Sequence, residues 1–126
     1  MLDITDLSVV IRRPGRRVAA LSNVSFAVAP GEVVGLVGES GGGKSMVARA
    51  IVGMLPPGSE ATGRVGFDGA DVLRMDAAAL ASHRGRGAAI CFQNPSTKPT
   101  TNNTTMIAIM VVQLSIAMVP FNFVRT

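Results

Sequence analysis

A run of eight residues in the first half of the chain could bind phosphate. It reads GESGGGKS and matches the pattern G-x-x-x-x-G-K-[ST] at each specified position. Glycines let a backbone curl around phosphate oxygens without clashes from Cβ atoms. A lysine and a serine at the end supply a positive charge and a hydroxyl ligand for Mg²⁺. We therefore predict that the phosphates of a nucleotide are bound by Gly38, Glu39, Ser40, Gly41, Gly42, Gly43, Lys44 and Ser45.

The segments on either side place this loop between a strand and a helix. Glu32 to Val37 form a short apolar run typical of a buried strand, and Lys44 to Met54 carry apolar residues at helical spacing. The free N–H groups and the positive dipole end of such a helix would point at an anion in the loop. We expect Lys44 to reach the β- and γ-phosphates and Ser45 to bind Mg²⁺. The motif alone leaves ATPases, GTPases and small-molecule kinases open.

Length and composition indicate one small globular domain in a reducing compartment. The chain has 126 residues, of which 48% are hydrophobic and 16% charged, and its one cysteine, Cys91, lies in an apolar run. The formal net charge is +4, and arginines cluster between residues 12 and 17. We interpret them as a solvated basic face, with nucleic acid or an anionic membrane surface as the alternative. The first residues lack the features of a secretory signal.

Strands and turns surround the loop and its helix. Two β-branched stretches, Ile4 to Ile11 and Val18 to Val28, flank the turn-rich segment RRPGRR and predict an antiparallel pair of strands. The later segments predict a strand at Arg64 to Phe67, a turn at Asp68 and Gly69, a helix at Ala77 to Ser82 and a strand at Ala88 to Phe92. An antiparallel pair therefore precedes an α/β arrangement.

The composition changes abruptly near residue 96. Every acidic residue lies before that point, the last being Asp76, and no charged residue occurs between Lys98 and Arg125. We interpret residues 1–96 as the N-terminal part of a nucleotide-binding domain and residues 97–126 as a divergent tail. An interruption of the coding sequence near residue 96 would explain the change.

The tail is open to three interpretations. Met106 to Val124 carry no charge and approach the ~20 residues that cross a bilayer, so a membrane-inserted segment is one of them. The others are a helix packed on an exposed sheet and a disordered or aggregation-prone segment. We also expect exposed strand edges and faces, and therefore poor solubility, because the parallel sheet would lack several strands.

Two stretches resemble the nucleotide-binding subunits of ABC transporters. They read ALSNVSFAVAPGEVVGLVGESGGGKS, from Ala20 to Ser45, and AAICFQNPST, from Ala88 to Thr97, and they look most like the dipeptide and oligopeptide importer branch. The resemblance implies ATP with Mg²⁺ and makes the loop a Walker A motif. It identifies Gln93 as the Q-loop glutamine, which senses the γ-phosphate through Mg²⁺ or water. Val18 stands where relatives supply an aromatic ring that stacks on adenine.

The same resemblance implies a fold and partners. The fold is α/β, a P-loop NTPase of the ABC cassette type, with an N-terminal antiparallel β subdomain, an incomplete parallel sheet and an aberrant apolar tail. The partners are transmembrane permease subunits and, in intact relatives, a second ATP-binding subunit. The implied location is cytoplasmic, at the inner face of the cell membrane. Nucleic acid is not among the implied partners.

Several residues that such proteins need for hydrolysis are missing. No carboxylate follows Asp76 to serve as Walker B aspartate or catalytic glutamate, and no glycine follows Gly87 to form a signature motif. His83 precedes the Q-loop, so it is not the switch histidine, and we expect it on the surface.

Three functions therefore remain open. The first is an ATP-binding subunit of a peptide-type ABC importer, with Lys44 and Gln93 as catalytic residues. The second is a truncated, non-catalytic remnant that binds nucleotide weakly or not at all. The third is a small membrane-tethered nucleotide-binding module.

Overall fold

The computed structural model describes residues 1–36, 41–90 and 107–110, the last four by their backbone alone. In chain order the described elements are β1 (Leu2–Arg13), β2 (Arg16–Val28), β3 (Val33–Leu36), α1 (Lys44–Ile51), β4 (Ser59–Phe67), β5 (Ala70–Asp71), a 3₁₀ turn (Val72–Arg74), α2 (Ala77–Ser82), a π-helical turn (His83–Gly87) and β6 (Ile107–Met110). Strands β2, β1, β4 and β5 form one antiparallel sheet in that order, and β3 pairs with β6.

The predicted antiparallel strand pair is confirmed, and both strands are longer than predicted. The ladder between β1 and β2 continues to Arg13 opposite Arg16, and two residues, Pro14 and Gly15, join the strands. Proline presets φ at the first central position of the turn. Gly15, with φ of 73°, supplies the positive φ at the second. The flanking arginines therefore belong to the ladder, and their side chains face each other in cross-strand pairs.

A bulge in β1 keeps its apolar side chains on one face of the sheet. The buried positions are even before the bulge and odd after it, namely Leu2, Ile4, Leu7 and Val9. The alternation of buried positions shifts at Asp6, whose φ is 49°, and the register with both neighbouring strands shifts at the same point. Gly63 of β4 lies against the bulge, where a Cβ atom would clash with the backbone oxygen of Asp6.

The core lies between one face of the four-stranded sheet and helix α1. Its fully buried large side chains are Leu2, Ile4, Leu7, Val9, Val28 and Val65. Helix α1 adds Val47, Ala50 and Ile51 to the same cluster. Burial of one large apolar side chain stabilises the fold by roughly 1.5–3 kcal/mol relative to exposure. The opposite face of the sheet is polar and carries an ion pair of 3.2 Å between Asp3 and Arg64.

Both predicted helices are present. Helix α2 has the predicted bounds, and its first turn is capped by Asp76, whose carboxylate accepts a hydrogen bond of 2.8 Å from the N–H of Ala79. Helix α1 begins as predicted but ends at Ile51, three residues early. Gly53, with φ of 65°, takes the left-handed conformation that commonly ends a helix.

The chain after α1 returns to the sheet. Strand β4 contains the predicted strand at Arg64 to Phe67 but begins earlier, at Ser59. The predicted turn is confirmed at Asp68 and Gly69, whose φ values of 47° and 87° are both positive, as in a type I′ hairpin turn.

The strand that leads into the phosphate loop differs from the prediction. A parallel sheet is not found in the described residues, where β3 pairs antiparallel with β6, Val33 opposite Met110 and Leu36 opposite Ile107. Strand β6 lies in the tail, so the hypothesis of a helical tail is wrong for these four residues. The β-branched Ile107 and Ile109 favour extended backbone, and the edge of β3 offers N–H and C=O groups that need partners.

Other predictions for the second half are only partly covered. Residues 88–90 form no strand, whereas Cys91 and Phe92 lie outside the described residues. The exposed face predicted for β3 is confirmed at Val33, which is 68% exposed. No helix within residues 1–36 and 41–90 is long and apolar enough to cross a membrane. The membrane and aggregation hypotheses concern tail residues that are mostly outside the described ranges.

Candidate functional site

The second half of the phosphate loop leads directly into helix α1. Gly41 and Gly43 both have φ of 87°, a conformation that residues with a Cβ rarely adopt. Gly43 is the N-cap of α1, and its carbonyl accepts hydrogen bonds from the N–H groups of Met46 and Val47 at 2.9 and 3.0 Å. The loop therefore turns sharply into the helix at Gly43.

Strand β2 supports the loop at this turn. A Cβ atom on Gly43 would lie 2.6 Å from Cδ2 of Leu21 and 2.9 Å from the backbone oxygen of Ala20. Only glycine can occupy the position without displacing the strand. The close packing fixes the start of α1 relative to the sheet, as a preorganised phosphate site requires.

No side chain caps the N-terminus of α1. Gly43 has no side chain to offer, and there is no side-chain hydrogen bond at this cap and no acidic residue in the first turn. The N-terminal N–H groups of a helix carry a partial positive charge that favours an anion. The arrangement thus fits a phosphate group, in agreement with the motif.

The two polar side chains that follow differ in exposure. Lys44 is buried, with 9% of its surface exposed, whereas Ser45 is exposed. A buried ammonium group at the start of the helix keeps its charge close to the loop. The exposed hydroxyl of Ser45 is accessible to a metal ion. In the described part of the chain, no three His, Cys, Asp or Glu side chains come together to bind a metal ion. The ligand that the motif predicts for Mg²⁺, Ser45, is among the described residues.

Val18 lies on the same strand that supports the loop. It is half-buried and pairs with Ile11 across the hairpin. Its partner Ile11 lies two residues from Val9, and Val9 pairs with Leu21, so Val18 and Leu21 project from the same face of the sheet, roughly 7 Å apart along the strands. This position is compatible with an apolar contact to a base whose phosphates lie at Gly43.

The other end of α1 is closed by side chains from a distant segment. Nε2 of His83 lies 2.8 Å from the carbonyl oxygen of Ile51, and Nε of Arg84 donates to the carbonyl of Val52 at 3.0 Å. A guanidinium nitrogen of Arg84 also bonds to the carbonyl oxygen of Gly53. Together the two residues bind three successive carbonyl groups at the helix C-terminus.

The prediction that His83 lies on the surface is wrong. Its side chain is 6% exposed and makes an edge-to-face contact with Phe67, with ring centroids 4.9 Å apart at an angle of 72°. The imidazole can be buried because its ring packs against the apolar ring of Phe67 and its ring nitrogen has a hydrogen-bond partner in the carbonyl of Ile51. The sequence gives no local signal for this contact, since the partners are 32 residues apart.

Several predicted site residues lie outside the described residues. They are Gly38, Glu39 and Ser40 in the first half of the loop, and Gln93 in the segment predicted as the Q-loop. The structure brings together Gly43, Lys44 and Ser45 at the start of α1, with Val18 on the strand beside them.

Comparisons with known proteins indicate the family of this chain. The family model described as ABC transporter matches residues 21–122. The oligopeptide transport ATP-binding protein OppD of Mycobacterium tuberculosis is 42% identical over 75% of this chain and 16% of its own length. The peptidoglycan transport ATP-binding protein YejF of Agrobacterium fabrum is 43% identical over 77% of this chain and 18% of its own.

A third relative gives the same result. The probable D,D-dipeptide transport ATP-binding protein DdpD of Escherichia coli is 42% identical over 77% of this chain and 30% of its own length. The chain spans less than a third of the length of each of these relatives. The family match covers most of the 126 residues, and the chain belongs to the ABC transporter family.

Proposed function

We propose that the chain binds Mg²⁺-ATP as part of the ATP-binding subunit of a peptide-type ABC importer. The observation that carries the proposal is the start of α1, where Gly43 packs on β2 and leaves the helix N-terminus without a side-chain cap. Phosphate binding at this end of a helix is physically favoured. The names of the relatives, which describe oligopeptide and D,D-dipeptide transport, support a peptide-like cargo.

Each residue of the motif has a role in this proposal. The backbone of Gly38 to Gly43 would surround the phosphates, Lys44 would neutralise the β- and γ-phosphate charge, and Ser45 would bind Mg²⁺. Val18 would contact the adenine through its apolar side chain, and Gln93 would contact the γ-phosphate side of the site. Bound ATP would supply the energy that drives transport in intact relatives.

The proposal extends to location and partners. Transmembrane permease subunits and a second ATP-binding subunit would complete the transporter, and the chain would lie at the cytoplasmic face of the membrane. Residues 1–96 would form the nucleotide-binding part and residues 97–126 a divergent tail. The pairing of β6 with β3 indicates that part of this tail packs beside the strand that leads into the loop.

A second function, nucleotide binding without turnover, is favoured by one observation on the sequence. No Asp or Glu follows Asp76, so these 126 residues do not contain a carboxylate after the Q-loop that could orient the attacking water. His83 is used as a cap for α1 and is buried against Phe67. The chain alone would then bind Mg²⁺-ATP and release no phosphate.

Calorimetric titration of the full chain with Mg²⁺-ATP, beside a phosphate-release assay, tests both functions. Lys44→Ala should weaken binding by at least roughly tenfold, because it removes a buried charge from the phosphates. Ser45→Ala, at an exposed position, should weaken binding only when Mg²⁺ is present. The exposed Arg74→Ala serves as control. Equal affinity in Lys44→Ala and Arg74→Ala would overturn the first proposal, and phosphate release dependent on Lys44 would overturn the second.

A further inference from the structure

Two pairs of arginines face each other at the end of the β1–β2 hairpin, and one pair shares a carboxylate. The register places Arg12 opposite Arg17 and Arg13 opposite Arg16. Like charges directly opposite each other on neighbouring strands repel. Glu60 relieves this repulsion for the first pair, because one of its oxygens pairs with Arg12 and the other lies 2.8 Å from Arg17.

The second pair has no such partner in the described part of the chain. Arg13 and Arg16 are exposed, and neither side chain makes an ion pair or hydrogen bond with another described residue. Side chains alternate between the two faces of a strand, so this pair projects from the face opposite Glu60. The carboxylate of Glu60 therefore neutralises charge on one face of the hairpin, and the other face remains positively charged.

The positively charged face continues towards helix α1. An open concavity of about 550 Å³ lies among the four hairpin arginines. A second groove, of about 440 Å³, runs from Arg13 to Arg49 of α1 and has Ile11, Met46 and Pro56 along its wall. Arg49 also makes no ion pair with a described residue. Five arginines thus line the two depressions, and Glu60 pairs with only Arg12 and Arg17 among them.

We propose that Arg13 and Arg16 form an anion-binding site that takes a phosphoryl group and is separate from the Walker A loop. Two guanidinium groups can each bind phosphate oxygens in a bidentate fork. A dianion between them would replace repulsion by attraction, as Glu60 does for the neighbouring pair. Arg16 lies four residues from Ala20, which touches the phosphate loop, so roughly 13 Å of extended strand separates the two sites.

The phosphoryl group belongs either to a lipid headgroup or to a free phosphate compound, and two experimental arms distinguish these sources. One arm measures binding of inorganic pyrophosphate to the full chain by calorimetry. The other measures flotation of the full chain with vesicles of phosphatidylcholine that contain phosphatidylglycerol. Both arms compare Arg13→Gln/Arg16→Gln with Arg74→Gln/Arg86→Gln, which removes two exposed arginines outside the hairpin. Neither double variant changes a residue of the Walker A loop, so we expect binding of pyrophosphate at that loop to be equal in both.

The hairpin variant should bind roughly tenfold more weakly than the control variant in at least one arm, as expected for the loss of charge-assisted hydrogen bonds. A loss with pyrophosphate assigns the site to free phosphate compounds, and a loss with vesicles alone assigns it to lipid headgroups. Equal binding by the two double variants, or no binding by the unmodified chain in either arm, would overturn the proposal. The four substituted positions are exposed, and circular dichroism checks that both variants fold.

Discussion

The two ends of helix α1 are built in opposite ways. At the N-terminus the cap is Gly43, which has no side chain, and no side-chain hydrogen bond closes this end of the helix. At the C-terminus, His83 and Arg84 bind the carbonyls of Ile51, Val52 and Gly53. The end that we propose as the binding end has no side-chain cap, and the opposite end is closed by the protein's own side chains.

This difference has a physical reason. An α-helix of eight residues is too short to be stable by itself in water, so tertiary contacts must hold it. Contacts at the N-terminus would compete with phosphate for the same donors. Contacts at the C-terminus do not compete, and basic side chains there also complement the negative end of the helix dipole. Anchoring at one end therefore preserves the binding capacity of the other.

The largest effect is expected for Gly43→Ala, at the open end of α1. The new Cβ would clash with Leu21 and with the backbone oxygen of Ala20, and φ of 87° is unfavourable for alanine. We expect a loss of unfolding free energy of about 3 kcal/mol, from overpacking and backbone strain together, and loss of Mg²⁺-ATP binding. Urea unfolding and calorimetry measure the two effects.

Gly69→Ala provides the matched control for this variant. Gly69 has the same φ of 87°, but nothing lies within 4 Å of the position that its Cβ would occupy. We expect it to lose only the backbone strain of about 1–2 kcal/mol and to bind nucleotide normally. If Gly43→Ala binds Mg²⁺-ATP as well as Gly69→Ala does, the close packing on β2 does not shape the site.

An intermediate effect is expected when the closed end is opened by His83→Ala. The change leaves the carbonyl of Ile51 without its buried partner and removes the ring contact with Phe67. We expect the free energy of unfolding to fall by about 2–3 kcal/mol. Arg86→Ala, an exposed basic residue of the same turn, should change it by less than about 0.5 kcal/mol. Equal stabilities of the two variants would show that the histidine does not anchor α1.

The smallest effect is expected for Arg84→Ala, because its side chain is exposed. Two hydrogen bonds to the carbonyls of Val52 and Gly53 would be lost, and water can replace them in part. We expect a loss of about 1 kcal/mol in urea unfolding. Arg84→Lys should recover less than half of the loss, since an ammonium group cannot bind both carbonyls as a planar fork does. Full recovery by lysine would point to charge alone as the source of the effect.

The open end of α1 could be predicted from the sequence, whereas the closed end could not. The loop, its glycines and the start of the helix are contiguous residues, and local backbone preferences determine their conformation. Asp76 at the start of α2 and the Pro14–Gly15 turn are predictable for the same reason. The hydrogen bond of His83 joins it to Ile51, 32 residues away, and local patterns contain no information about such partners. Its assignment to the surface was wrong for this reason.

The partner of β3 illustrates the same limit. A short apolar run predicts a strand but does not specify its neighbour or the direction of pairing. The parallel arrangement expected from the family resemblance is absent from the described residues, where Val34 lies opposite Ile109 in an antiparallel ladder. Residues 107–110 can pair with the edge of β3 because they are apolar and β-branched at alternate positions.

Amide hydrogen exchange of the full chain, with and without Mg²⁺-ATP, tests the central claim most directly. We expect the nucleotide to slow exchange at residues 41–47, at the open end of α1. Exchange at residues 51–53, whose carbonyls His83 and Arg84 bind, and at the turn of His83 should stay nearly unchanged. Lys44→Ala should abolish the protection. Protection that is absent from residues 41–47, or that persists in Lys44→Ala, would contradict the assignment of the open end of α1 as the phosphate-binding end.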